Sequence, residues 1–323
     1  MLTSDLATYP DRIYVVIPLF NDWPALSLLL ERIQLVCESA LVDRLMFLVI
    51  DDCSATNYET LPAGVGQSLS VLRLFRNVGH QKAIALGLSY LASLPEQFPV
   101  VVMDADGEDR PEDMAQLLKT GMSNPGRVVF AHRSKRNESF LFRFCYTMYK
   151  VVFRLLTGKV ITFGNFSLIP ASQVRKLAHV SSIWNNYPGG VIRSRLPYTA
   201  VPLERGRRLA GESKMNFVSL VLHGLSAISV LIDTTAVRLV LFCVVMVIVS
   251  VVGIGAVVTL FVLTDTAVPP WASSLVFSFL IIILQAFLIS LLLVFFVLSY
   301  RTQPQFIPAR QFGDFVERVE QVY

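Results

Sequence analysis

Short apolar runs recur through the first 135 positions: IYVVIPLF (13–20), LMFLVIDD (45–52), VLRLF (71–75), VVVMD (100–104) and VVFAH (128–132). Apolar character this continuous predicts strands buried on both faces, as in a parallel sheet. Helical stretches separate them. Asp22 is placed to cap a helix with Pro24 in its first turn, a second helix runs from about His80 to Leu94, and a third starts at Pro111. The alternation predicts a doubly wound α/β domain, whose ligands sit at the carboxyl ends of the strands. Polar residues gather at those ends: Asn21 and Asp22, Asp51 and Asp52, Asn77, and Asp104 with Asp106.

The pattern changes after residue 138. In SFLFRFCYTMYKVVFRLLT (139–157), Arg143, Lys150 and Arg154 fall on one helical stripe and apolar residues cover the remainder. Such a helix lies in a membrane interface, or equally packs on a core with its basic stripe in water. A second apolar stretch, MNFVSLVLHGLSAISVLI (215–232), leads into two long runs, 237–263 and 271–300. Each exceeds the ~20 residues a spanning helix needs. Between Leu239 and Tyr300 the only charge is Asp265. The linker between the runs has no Lys or Arg, whereas Arg238 precedes them and Arg301, Arg310 and Arg318 follow. The positive-inside rule then puts both termini in the cytoplasm. The opening MLTSDLATYPDR shows no basic-then-apolar signal pattern, so residues 1–236 are expected to stay on the side where they are made.

Composition adds an asymmetry. Residues 1–113 hold 7 Lys and Arg against 16 Asp and Glu, a net of −9; residues 114–236 hold 17 against 4, a net of +13. A basic half beside membrane spans predicts an anionic partner such as a lipid head group or lipid phosphate, and argues against nucleic acid. Cys37, Cys53, Cys145 and Cys243 have no paired spacing and read as reduced thiols, neither a disulfide framework nor a zinc site.

The acidic half concentrates in MDADGEDRPEDM, with six carboxylates in residues 104–113. An acidic helix entry needs no function, and Glu112 and Asp113 fit that role, with Asp109 as a possible cap. Asp104 and Asp106 differ because they end a strand. Two carboxylates in such a turn can converge on a hard cation, Mg²⁺ or Mn²⁺, and Glu108 can supply a third oxygen. The basic half offers Arg133, Lys135, Arg136 and Arg143 in one cluster and Arg205, Arg207, Arg208 and Lys214 in another. Either can fork onto phosphate oxygens, or simply attract the chain to anionic lipid.

VVIPLFND, VIDDCS, RNVGHQKAIALGL, MDADGEDRPEDM, HRSKRNESFLFR and RRLAGESKMN occur in this order ahead of two apolar spans. Together they resemble the family 2 glycosyltransferases that load a sugar onto a polyprenyl phosphate, the group of dolichyl-phosphate mannose synthases and bacterial undecaprenyl-phosphate glucosyltransferases. The resemblance covers about residues 12–300. It implies a GT-A fold, a nucleotide-sugar donor (UDP- or GDP-linked) and an inverting, metal-dependent transfer. By position it assigns Pro18, Asn21, Asp22, Asp52, Asn77, Asp104 and Ala105 to the nucleotide sugar, and Asp104, Asp106 and Glu108 to the metal. Arg133, Arg136, Arg205, Arg208, Ser213 and Lys214 are assigned to the acceptor phosphate. Two departures stand out. Cys53 replaces the glycine of the usual DDGS, and FGNFSLI (163–169) stands in place of a G-D-F-R-L or S-G-F-R-L motif, with Asn165 where many bacterial members have Asp and Ser167 in place of Arg. Asn165 cannot be a general base, but a phosphate is largely dianionic at neutral pH and attacks without one.

The resulting expectation divides the chain into a nucleotide-sugar half (1–138), an acceptor half with an interfacial helix (139–214), a juxtamembrane helix (215–234), two spans and a cytoplasmic tail (301–323). The expected activity is transfer of a single sugar to a polyprenyl phosphate at the cytoplasmic face of the inner membrane by a self-associating protein. The alternatives are transfer to a lipid hydroxyl such as diacylglycerol, and a catalytically silent nucleotide-sugar-binding subunit. Two spans and no QxxRW motif argue against a processive polysaccharide synthase.

Overall fold

The computed structural model describes residues 10–58, 61–62, 64–133, 140–159, 163–211, 224–264 and 270–323. The two most apolar runs become β1 (Ile13–Leu19) and β2 (Leu45–Asp51), each buried along almost its whole length. β3 (Ser68–Leu74) pairs in parallel with β2, and the short β4 (Val100–Val102) pairs in parallel with β1 on its other side. The chain therefore winds outward from β1 to β3 and then crosses back to β4. That reversal opens a crevice between the carboxyl ends of β1 and β4, where doubly wound sheets bind their ligands.

The rest of the sheet is mixed. β5 (Val128–Arg133) and β6 (Phe163–Ile169) pair antiparallel, β6 runs antiparallel to β4, and β7 (Tyr198–Leu203) adds in parallel to β5. The order is β7-β5-β6-β4-β1-β2-β3, extended past β3 by an eighth strand, β8 (Val316–Gln321), which is antiparallel to it. β8 lies in the segment read above as a tail. Its sequence, VERVEQ, carries charge at Glu317, Arg318 and Glu320, as an edge strand does. Tyr323 fastens its end by donating from its hydroxyl to Val65 O at 2.8 Å.

Alternation along the strands fills two apolar layers. Ile13, Val15 and Ile17 face α1 (Trp23–Val36) and α4 (Met114–Ser123), which bring Leu26, Leu29, Leu30, Leu117 and Leu118, and the one-turn α2 (Ser39–Val42) adds Leu41 and Val42. Val16, Leu48 and Ile50 face α3 (His80–Ser93), with α6 (Ala171–Ala178) and α7 (Tyr187–Ser194) beyond it. Gly87 lets α3 settle this close, since a Cβ there would lie 2.7 Å from Ile50 Cδ1.

The apolar helices Ile232–Thr264 and Pro270–Thr302 belong to a second unit with residues 144–160, the greater part of α5 (Phe140–Thr157). Both are long and apolar enough to cross a membrane. Their Phe, Leu, Ile and Val side chains are largely uncovered, with Leu263 77% and Phe295 67% exposed. They touch each other closely: a Cβ on Gly253 would lie 2.5 Å from the Phe279 ring. Charges sit near one end of the pair, where Arg301 approaches Asp233 at 3.6 Å. Arg238 donates to Leu155 O and Arg154 O at 2.9 and 3.3 Å, satisfying the last carbonyls of α5. Met148, Val151, Val152 and Leu155 of α5 are exposed beside Lys150 and Arg154, the surface expected of an interfacial helix. Residues 215–223 of the predicted juxtamembrane helix (215–234) lie outside the described residues.

Candidate active site

The turns after β1 and β2 are tied to each other. Asn21, at φ +50°, donates its N–H to Ser54 Oγ at 2.8 Å, and its side-chain oxygen accepts from Ala55 N at 2.7 Å. Trp23 Nε1 donates to Thr56 O at 2.7 Å. Asp51 is buried and accepts from Ser54 N at 2.9 Å. Asp52, also buried, receives Val78 N at 2.7 Å on one oxygen and Gly79 N at 2.8 Å on the other, while Asn77 Nδ2 reaches Asp52 O at 3.3 Å. Burial raises the Asp52 pKa, with Asp51 adding to the effect, and the two N–H donors offset part of it. The predicted donor-binding residues Asn21, Asp52 and Asn77 are thus gathered at one edge, and each also shapes a loop. Pro18 is buried in β1 opposite Ile50, and Ala105 is buried after β4. Cys53 adopts φ +60°, the left-handed geometry glycine would take without strain.

Asp22 begins α1, but its side chain makes no cap. It reaches instead for Arg208, whose guanidinium bridges Asp22 Oδ2 and, at 3.1 Å, Asp106 Oδ2. Arg208 Nε also donates to Ala210 O at 2.8 Å. The loop carrying Arg208 lies directly on the turn after β4: Gly206 N donates to Glu108 O at 2.8 Å, and Leu209 N to Asp106 O at 2.9 Å. Arg205 pairs with the Glu108 carboxylate. Gly107, at φ +79°, makes this docking possible, because a Cβ there would meet Leu209 Cγ at 2.4 Å.

Asp109 does not cap the following helix, whose start has no side-chain cap. It is buried, and its Oδ2 accepts from Asp104 N at 2.9 Å, holding the carboxylate turn after β4 closed. Glu112, in the acidic first turn, instead binds Arg32 at 2.5 Å. Burial raises the pKa of Asp106, and Asp104 and Glu108 raise it further, against the pull of Arg208. Arg208 thus offsets the crowding of carboxylates at Asp106 only in part, an electrostatic setting that favours a divalent cation. The donor set of hard oxygens fits Mg²⁺ or Mn²⁺: Asp104 and Asp106 would hold the ion. Glu108 would join only on leaving Arg205. Among the described residues no three His, Cys, Asp or Glu side chains form a ready-made cage.

A second group forms opposite, and the sequence reading had missed two of its members. β6 pairs with β4 at Ser167↔Val102, so two steps further Asn165 comes level with Asp104. His80, at the start of α3, places Nε2 3.2 Å from Asp104 Oδ1 and 2.9 Å from Asn165 Nδ2. Nε2 serves one partner at a time: protonated it donates to Asp104, unprotonated it accepts from Asn165. Burial lowers the pKa of His80, but Asp104, with Asp109 and Asp106 behind it, outweighs burial and leaves it raised. Gln81 Nε2 donates to Asn165 Oδ1 at 3.0 Å. Ser167 lies in the core, donating to Asn165 O at 2.8 Å and meeting the buried Tyr187 hydroxyl at 2.7 Å. Position 167 thus anchors the strand and presents no cation to the site. The only sequence signal for His80 and Gln81 was their place one turn after Asn77, at a helix start facing the strand ends. Arg133 ends β5; its side chain, with Arg136, Ser213 and Lys214, lies outside the described residues.

The family model for glycosyl transferase family 2 matches residues 14–176, just over half of the chain. Among solved structures, the chain is similar to glucosyl-3-phosphoglycerate synthase from Mycobacterium tuberculosis. That match has 18% identity and a TM-score of 0.48, over 70% of this chain and 80% of that one. It is also similar to the mannosyltransferase PcManGT from Pyrobaculum calidifontis, at 15% identity and a TM-score of 0.41 over 88% of each chain.

Proposed function

Because the chain belongs to glycosyl transferase family 2, a GT-A glycosyltransferase fold, we propose that it transfers one sugar from a nucleotide donor to a polyprenyl phosphate at the cytoplasmic face of a membrane. The observation that carries this reading is the docking of the 205–209 basic loop on the carboxylate turn after β4, through Arg205–Glu108 and Arg208–Asp106. It puts cations for an incoming phosphate beside carboxylates for a metal-bound diphosphate, in one crevice.

The chain's own groups divide the work. Asp104 and Asp106 would hold a Mg²⁺ or Mn²⁺ ion, which would supply positive charge to offset that on the departing nucleoside diphosphate. Asn21, Asp52 and Asn77 shape the edge that receives the nucleotide. Arg205 and Arg208, with Arg133, Arg136, Ser213 and Lys214, gather the acceptor phosphate. No residue is needed to take a proton from the acceptor, because a phosphate monoester arrives already ionised. Asn165 and the buried Ser167 are consistent with that acceptor class.

Connectivity supports the membrane placement. Residues up to Val230 and from Gln305 onward belong to the same folded unit, with β8 paired to β3. This connectivity supports two intervening spans that enter and leave on the same side of the membrane. Arg238 and Arg301 at their ends, against a linker without Lys or Arg, support a cytoplasmic location for that side.

The test is transfer by the purified full chain with Mn²⁺, a panel of UDP- and GDP-sugars, and either polyprenyl phosphate or diacylglycerol. Sugar appearing on the prenyl phosphate supports the reading, and sugar only on diacylglycerol overturns the acceptor. Nucleotide binding without transfer from any donor would favour a silent subunit.

A further inference from the structure

The amide groups at the β6 end of the crevice form a chain with one allowed direction. A backbone N–H can only donate, so Tyr187 N, 2.7 Å from Gln81 Oε1, identifies that atom as the Gln81 oxygen. Gln81 must then turn its NH₂ to Asn165, 3.0 Å away, which identifies the facing atom as Asn165 Oδ1. Asn165 in consequence turns its NH₂ outward, to within 2.9 Å of His80 and the Asp104 end of the crevice. The Ser167 hydroxyl, bonded to Asn165 O, keeps the backbone from turning to undo this. An isolated asparagine could present either end of its amide at little cost. Here a backbone donor two hydrogen bonds away decides it.

We propose that Gln81 is a positioning residue that locks the Asn165 amide with its nitrogen toward the reacting groups, so that the site offers the acceptor a hydrogen-bond donor suited to an anionic oxygen. An NH₂ there favours a phosphate oxygen, whereas an amide oxygen would repel it. The specificity part of this inference rests on the phosphate-acceptor reading above; the positioning part does not.

The consequence is testable because Glu is isosteric with Gln. In Gln81→Glu, one carboxylate oxygen still accepts from Tyr187 N, but the other cannot donate to Asn165 Oδ1, so the Asn165 amide turns over. Steady-state kinetics on the full-length protein with Mn²⁺ should then show the acceptor KM raised about tenfold, the loss of one hydrogen bond to a charged group. The donor KM should stay within about twofold, because the donor-shaping loops are untouched. Asn165→Ala should raise the acceptor KM by a similar factor while transfer persists. The double variant Gln81→Glu with Asn165→Ala should be no worse than Asn165→Ala, since Gln81 acts only through that amide. Calorimetric nucleotide binding checks that each variant is folded.

Losses that multiply in the double variant, or a rise in the donor KM in place of the acceptor KM, would overturn the proposal. If the wild type uses only a lipid hydroxyl, the phosphate reading and the specificity part fail together. The same cycle run on the hydroxyl lipid then decides the positioning role by the same criterion.

Discussion

Replacing Arg208 by Gln should tighten metal binding while weakening the protein that lacks metal. Arg208 bridges Asp22 and Asp106, and the three side chains are 21%, 19% and 18% exposed. Unit charges ~4 Å apart in surroundings of effective dielectric ~20 attract by about 4 kcal/mol. Desolvation and ordering of the guanidinium cancel much of that, leaving about 1.5–3 kcal/mol for a hydrogen bond to a charged group. An incoming cation must displace this contact from Asp106. Its removal should therefore tighten Mn²⁺ binding to nucleotide-free protein by about tenfold, at 1.36 kcal/mol per decade. The same change leaves two carboxylates without their cation, so the metal-free protein should unfold at lower temperature and regain more on adding Mn²⁺. Titration calorimetry with Mn²⁺ and thermal unfolding with and without the ion measure both. A Mn²⁺ affinity unchanged or weakened in Arg208→Gln would refute the idea that Arg208 occupies the cation's place.

Three further outcomes follow from local geometry. Gly107→Ala combines a left-handed backbone, costing roughly 1–2 kcal/mol, with a collision against Leu209. It should lower the unfolding temperature and abolish transfer by lifting the 205–209 loop, and wild-type activity in this variant would contradict the docking. Tyr187→Phe should cost about 1 kcal/mol in denaturant unfolding, the worth of its hydrogen bond to buried Ser167. In Ser167→Ala, where that bond is already gone, the same change should add less than it does alone. Cys37 should resist alkylation in the native state: burial, with Glu112 adding to it, pushes its thiol up to about 11. Its thiolate fraction at pH 8 is therefore about one in a thousand, and labelling should increase about tenfold per pH unit up to that range. Exposed Cys53 should be labelled first, and equal rates at pH 8 would argue against a half-buried Cys37.

Much of the fold was legible because burial writes itself into short apolar runs. The first five predicted strands coincide with β1 to β5 to within three residues at either end, and the two spans match the long apolar helices. What escaped were β6, β7 and β8. VERVEQ carries no apolar run, and it becomes a strand only because β3 offers it an edge. That pairing joins residues nearly 250 positions apart in sequence, which no local pattern can announce. The site divides the same way. Asp104, Asp106 and Asp22 stood out as carboxylates at strand ends, and the structure brings all three into one crevice with Arg205 and Arg208. His80 and Gln81 look like ordinary first-turn helix residues, and their role appears only once β6 lies beside β4 and sets Asn165 opposite Asp104. Asp109 misled for a related reason: its spacing fits a helix cap, but a buried backbone N–H on the other side of the turn claimed it.

The most direct test of the central claim is the chemical nature of the bond in the product. Lipid labelled from a radioactive nucleotide sugar by the full-length protein would be treated with mild acid, which cleaves a sugar–phosphate ester at the anomeric carbon and leaves a glycoside to a hydroxyl intact. Transfer to a prenyl phosphate predicts a lipid-soluble product that forms only with Mg²⁺ or Mn²⁺, releases its sugar in mild acid, and is absent with Asp106→Asn. An acid-stable product, or one formed undiminished by Asp106→Asn, would contradict it.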